Sequence, residues 1–244
     1  MVQTRRVDIS DIDDERLAGS AEISEEQALE LLRRRDLPQR ALEALAANRT
    51  AMRHRIVLVE VVKHPRAPRH VSLPAIRHLY TFELMQVGLT PAVPADVKLA
   101  AEDVLMSRLE TISAGERLTL AKRSSARLAA ALLLDHEAHV VDAALENPHM
   151  TEDSIVKALM KPVADTDAST YLPTFLLHHP KWGLRTDIQI ALLECGKLRF
   201  ADTTVLVHSL STKVLRAALD RDRLPAIAKA ALLEELRARD NRED

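Results

Sequence analysis

The sequence predicts an all-α fold, a stacked array of antiparallel helix pairs, and three observations carry that expectation. Aromatic residues make up only 2% of the 244 residues, and β-branched residues gather only at 55–62. Strands favour both types, so helix is the default. Apolar residues recur at helical spacing in segments of about 8 to 15 residues, separated by Pro, Gly and capping residues. A short phrase also repeats ahead of apolar runs: His64-Pro65-Arg66, Asn147-Pro148-His149 and His179-Pro180-Lys181. The last two copies lie 32 residues apart (179 minus 147), near the length of one helix-turn-helix repeat, and the first lies 83 before the second (147 minus 64). Units of that length cannot bury their apolar faces alone, so they stack.

The elements follow in order. Residues 1–23 hold 6 of the 8 acidic residues found before position 27 and show weak periodicity, which predicts a disordered acidic tail. Ser24 and Gln27 have capping-box spacing and open a helix with Ala28, Leu29, Leu31 and Leu32. Pro38 fits the first turn of a second helix, running to about Ala47. In 55–62 the valines do not alternate with polar residues, so the segment reads as helix and ends at His64-Pro65. Pro68 opens a segment through Tyr80 that Pro74 disturbs.

Gly88 to Pro94 reads as a loop, followed by a helix over 95–109. Ser113 and Glu116 form a second capping box, and the Ala and Leu run after Ser125 gives a helix ending near Asp135. Val140 to Leu145 and Ile155 to Met160 flank Asn147-Pro148 as one two-helix unit, and 162–169 is a polar loop. Tyr171 to Leu177 and Leu184 to Cys195 form the next hairpin. Helices near 201–210 and 226–239 close the array, giving one repeat domain over 24–239 and a frayed 240–244.

Asn147-Pro148 with Thr151, preceded by Asp135 and the run from Val140 to Leu145, resembles the HEAT-like and leucine-rich-repeat-variant α-solenoids of bacteria. His179-Pro180-Lys181-Trp182 with Arg185 and Ile188 looks like a second copy. The likeness is specific over about 125–195. The pattern breaks at 88–94, at 162–169 and at Gly196-Lys197, where no Asn-Pro follows Cys195. The resemblance implies an irregular, curved helical scaffold that binds protein or nucleic acid, with no catalytic residues to transfer.

Net charge is formally -2, but residues 33–77 carry 11 Lys and Arg against 3 acids. Such a block marks either a partner surface or solvated helix faces. The preferred reading is a non-catalytic scaffold for protein–protein interaction, with Arg66, Arg69, Arg77, Trp182 and Arg185 as contacts for an acidic segment, because Trp and Arg dominate binding hot spots. Trp182 has a second reading, as cover for the core of its own hairpin. The alternative partner is nucleic acid, held by Arg33, Arg34, Arg35, Arg40, Arg49, Arg53, Arg55 and Lys63 through phosphate contacts. Scarce aromatics supply little base stacking.

Other chemistry finds less support. His136 and His139 are spaced i and i+3, where the zinc-protease helix needs i and i+4, so no metal site is expected. Cys195, the single cysteine, reads as a buried structural thiol with only His208 near in sequence. His residues at Pro-containing turns read as caps for the carbonyls of the preceding helix end. No cofactor is expected, since the 5 Gly residues form no phosphate loop. The lone cysteine and the acidic start, which fits neither signal peptide nor anchor, predict a cytoplasmic chain with no membrane contact.

Overall fold

The computed structural model describes residues 9–161 and 168–243. Among them lie sixteen α-helices and no strand, so the chain is all-α. It divides into two compact units, Met1–Thr111 and Ile112–Asp244.

Unit 1 contains α1 (Ile9–Gly19), α2 (Glu25–Arg33), α3 (Gln39–Ala47), a 3-10 turn at Ala51–Arg53, α4 (Arg55–Lys63), α5 (Arg69–Ile76), α6 (Thr81–Leu89) and α7 (Ala95–Arg108). The helix α1 replaces the disorder expected before residue 23; residues 1–8 of that stretch lie outside the described residues. Its few apolar positions suffice because Ala18 is fully buried, and its acidity is met by an ion pair from Asp14 to Arg34 at 2.9 Å. The Ser24–Gln27 capping box forms as the spacing predicts. In α4, Val57, Val59, Val61 and Val62 are all buried, which explains a run that alternates with nothing polar. The helix α6 was not anticipated. It crosses Gly88 and begins where Glu83 accepts the Tyr80 backbone N–H at 2.6 Å.

Unit 2 contains α8 (Ala114–Arg123), α9 (Ala126–Leu132), α10 (Ala138–Leu145), α11 (Glu152–Met160), α12 (Ala168–His178), α13 (Thr186–Glu194), α14 (Phe200–Ser209), α15 (Thr212–Leu219) and α16 (Ala226–Glu243). Of the loop expected over 162–169, residues 162–167 lie outside the described residues and the last two open α12. The helix α15 was also unanticipated, and α16 continues through the 240–243 stretch expected to fray. Within each unit, packing joins helices two apart in order: α1 to α3, α2 to α4, α4 to α6 and α5 to α7, then α8 to α10, α9 to α11, α10 to α12, α11 to α13, α13 to α15 and α14 to α16.

Polar side chains at the turns lock these layers. Asn48, 9% exposed, donates through Nδ2 to the carbonyls of Ala18 and Ser20 at 3.0 and 2.7 Å, while its Oδ1 accepts the N–H groups of Thr50 and Ala51. Asn147 repeats the device on the carbonyls of Ala121 and Ser124, at 2.7 and 3.2 Å. His64 does the same with a ring: Nδ1 accepts the Arg66 N–H and Nε2 reaches the Arg34 carbonyl at 2.9 Å. The histidine at the Pro turn therefore caps a helix two elements back, not the one it follows. Arginine is the third version. Arg108 caps the carbonyls of Leu79 and Arg77, and Arg239 caps those of Leu210 and His208. Each such bond contributes about 1 kcal/mol net, and a buried group left unpaired costs roughly 1–3 kcal/mol.

Residues 39–108 superimpose in pattern on 170–239 without a gap, at a constant offset of 131 (179 minus 48). The bounds of α4 and α13 match residue for residue, and α5, α6 and α7 start at the counterparts of the α14, α15 and α16 starts. Buried Leu45, Ile76, Leu79, Leu84 and Ala101 correspond to buried Leu176, Val207, Leu210, Leu215 and Leu232. The Arg108 clamp corresponds to that of Arg239, and Asn48 corresponds to His179, which shares its bonds to the turn's own N–H groups. Where one copy has His64-Pro65, the other has Cys195-Gly196, and Gly196 takes φ +66°. A Cβ there would also lie 3.0 Å from Pro225 Cγ.

Candidate partner-binding surfaces

The basic block of unit 1 separates into two groups, fixed by the clamps. The turn 64–66 is tied to 34–36 by His64 and by Arg66, which donates to the Asp36 carbonyl. Arg33, Arg34, Arg35, Arg40, Lys63, Arg66 and Arg69 belong at or beside these turns. The turn after α3 is tied to 18–20 by Asn48, and the start of α4 to the turn before α6 by Arg55. Arg49, Arg53, Arg55 and Arg77 belong to that second set of turns.

Six of the eleven cations already have partners. Arg33 pairs with Glu30, Arg34 with Asp14, Lys63 with Glu60 and Arg69 with Asp96, and Arg66 is held by the Asp36 carbonyl. Arg55 lies 3.5 Å from the Tyr80 ring centroid and pairs with Glu83 at 2.5 Å. Burial pushes the Glu83 carboxyl up, but the hydrogen bonds from Arg55 and the Tyr80 amide and the Arg55 charge outweigh it and hold it below its usual value. The side chains of Arg35, Arg40, Arg49, Arg53 and Arg77 have no such partner among the described residues. Two of these five stand at the first set of turns and three at the second.

Of the five residues expected to grip a protein, Arg66, Arg69 and Arg77 lie in unit 1 and Trp182 and Arg185 in unit 2. Trp182 is 4% exposed, donates its indole N–H to the Leu145 carbonyl at 2.9 Å and carries Lys181 4.1 Å from its ring centroid. It is buried, with its indole set against the end of α10. Beside it His179 accepts the N–H groups of Lys181 and Trp182 on Nδ1 and meets Glu146 with Nε2 at 3.1 Å. Arg185 is the exposed N-cap residue of α13.

The remaining sequence candidates hold structural contacts. Asp135 pairs with Arg117 at 2.8 Å, both side chains 6% exposed, and His136 meets the same guanidinium at 3.0 Å. The Cys195 thiol donates to the Leu192 carbonyl at 3.2 Å, and burial pushes its pKa up. His208 pairs instead with Glu235 at 2.5 Å.

Two features of unit 2 were not anticipated. An open groove of about 470 Å³ lies along α11 and α13, with Glu152, Asp153, Asp187 and Glu194 on its walls and Val156 and Ala191 between them. Arg221 meets Glu194 there at 3.7 Å. The second is an exposed apolar face on α14 and the start of α16, where Phe200, Val205 and Ile227 are 68%, 62% and 59% exposed. The register shared with α5 and α7 is the signal that finds it, since that comparison shows Arg69 and Asp96 at the places of Phe200 and Ile227.

No helix among the described residues is long and apolar enough to cross a membrane. The chain matches no family model, no curated protein and no solved structure.

Proposed function

We propose that the chain is an irregular, HEAT-like α-solenoid that acts in the cytoplasm as a non-catalytic scaffold, holding a protein partner along an extended face. One observation carries the reading. Side-chain clamps from turn to earlier helix end recur at sequence separations of 23 to 31 residues, at Asn48, His64, Arg108, Asn147 and Arg239. Clamps of this kind tie turns to earlier helices within each unit, which supports repeats that seal one another and keep an outer wall for binding.

Nucleic acid is the weaker partner because phosphate binding needs cations free to release counterions. Six of the eleven cations of 33–77 are held by carboxylates or carbonyls, and the other five stand at two separate sets of turns. Titration of duplex DNA against rising salt, alongside affinity capture from the native cell, tests the choice. A captured protein with little DNA binding at physiological salt supports the scaffold. Tight DNA binding with a steep salt slope, together with recovery of nucleic acid alone, overturns it.

A further inference from the structure

The two copies of the five-helix module agree in their cores and disagree where α11 and α13 form the groove of unit 2. By the shared offset, Glu60 and Lys63 of α4 correspond to Ala191 and Glu194 of α13, and Ile56 corresponds to Asp187. In unit 1 Glu60 and Lys63 meet in an ion pair at 2.7 Å on that side of α4. In unit 2 the first has lost its carboxylate arm and the second has reversed its charge. Asp187, Ala191 and Glu194 fall at i, i+4 and i+7, so they share one face of α13. All three line the groove, with Glu152, Asp153 and Val156 of α11 and with Arg221.

Three of the four carboxylates have a local reason to be there. Glu152, Asp153 and Asp187 stand in the first turns of α11 and α13, where the helix dipole favours acids, and Asp153 pairs with Lys157 at 2.6 Å. Glu194 has no such reason. It is the last residue of α13, where the same dipole opposes an anion, and its side chain is only 9% exposed. No donor among the described residues hydrogen-bonds its carboxylate, and its ion pair with Arg221 Nη1 spans 3.7 Å, beyond hydrogen-bond distance. A carboxylate this far withdrawn from water is costly unless a donor meets it. Lys63 at the matching position shows that the module does not require it.

We propose that this groove receives an arginine-rich segment of the partner protein, with one guanidinium on Glu194 and a second cation at Asp187. The proposal rests on the scaffold reading and deepens it by naming the surface and the partner's chemistry, which is basic where the sequence suggested acidic. Asp187 and Glu194 lie about 10 Å apart along α13, so they take two side chains rather than one. Ala191 between them and Val156 of α11 suit the methylene stems, while the charged heads meet the carboxylates. Arginine fits Glu194 better than lysine, because its fork gives a carboxylate two parallel bonds and it is more weakly hydrated. Four acids face one cation on the walls. Lys157 leaves that balance negative, and Arg185, two residues before Asp187, does not share its face. Arg221, whose side chain is 52% exposed, competes for Glu194 from the turn after α15.

The test titrates fluorescein-labelled hexa-arginine against the purified full chain by fluorescence anisotropy at physiological salt. Affinity should fall about tenfold or more in Asp187→Asn/Glu194→Gln. It should stay at the parent value in the control Glu30→Gln/Asp36→Asn, which removes the same charge from exposed sites of unit 1. Arg221→Ala should bind about threefold more tightly, and hexalysine about threefold more weakly. Equal losses in the two double variants, unchanged affinity in Arg221→Ala, or hexalysine binding as well as hexa-arginine would reveal attraction by bulk charge and overturn the proposal. A melting temperature that falls in Glu194→Gln also overturns it, by making the carboxylate a structural partner of Arg221. So does displacement of the peptide by equimolar spermidine, which makes the groove a site for small polyamines. If affinity capture from the native cell returns the same protein with the parent and with Asp187→Asn/Glu194→Gln, the scaffold survives and this groove does not. A parent chain that captures no protein sinks both.

Discussion

Asn48 and His179 occupy the same place in the two copies of the module, and each accepts two N–H groups from its own turn. The amide then donates to two backbone carbonyls, the buried one of Ala18 and the half-buried one of Ser20, whereas the imidazole meets the exposed Glu146 carboxylate. Three residues further on, Ala51 fills in one copy the slot that Trp182 fills in the other, and it is the indole that reaches a carbonyl there. The comparison teaches that the turn's own N–H groups fix the residue type, while the task of reaching back to an earlier helix can move from one side chain to another. Natural variation should therefore be freer in the reach than in the turn.

The largest effect expected from breaking this equivalence is at Trp182. Trp182→Ala removes a side chain that is 4% exposed and strands the Leu145 carbonyl, which should cost about 3–5 kcal/mol in urea unfolding. Next come the clamps. Asn48→Ala leaves the Ala18 and Ser20 carbonyls and two N–H groups unpaired and should cost about 2–3 kcal/mol. His179→Ala should cost less, because Glu146 is 68% exposed and regains water. His179→Asn should recover most of that loss. Equal losses at positions 48 and 179 would show that the reach to backbone carbonyls does not matter.

A pH measurement sharpens the contrast between modules. The folded-state pKa of Glu83 is depressed below the ordinary 4.5, so its contribution is present above that value and is lost as pH falls through the folded pKa. The matching residue of unit 2 is Val214, which does not titrate. Glu83→Gln should accordingly remove part of the loss of stability seen below about pH 4.5, read from thermal melts of parent and variant at stepped pH. The smallest effect belongs to the outer face. Arg69→Ala breaks an ion pair whose arginine is 77% exposed and should change stability by about 0–1 kcal/mol. A larger loss would mean that the α5 face is structural, and its contrast with α14 would lose its meaning.

Much of this architecture is legible in the sequence. Pro38, Pro94 and the boxes at Ser24 and Ser113 place helix starts where the chain has them, because a cap is a local bond between residues three apart. The His/Asn-Pro phrase also marks true turns, but its carbonyl partner lies 23 to 30 residues earlier, beyond any local rule. Asn48 escapes the phrase because Arg49 follows it instead of Pro. The duplication escapes because only ten of seventy positions are identical, among them Leu45/Leu176, Leu79/Leu210, Leu84/Leu215, Pro94/Pro225 and Arg108/Arg239. These are buried or capping positions, and sequence alone gives no reason to weigh them above the rest. Charge density was the poorest guide to the candidate surface, since it does not distinguish an arginine that caps a carbonyl from one that waits for a ligand.

The turn that ends α13 carries a cost of its own. Pro65 stiffens the unfolded chain as well as the folded one, whereas Gly196 has the greatest freedom to lose when its turn is set. No side chain can be added to recover that entropy, because the left-handed backbone resists it and Pro225 occupies the space. This turn is consequently one place where the second module has little room to evolve.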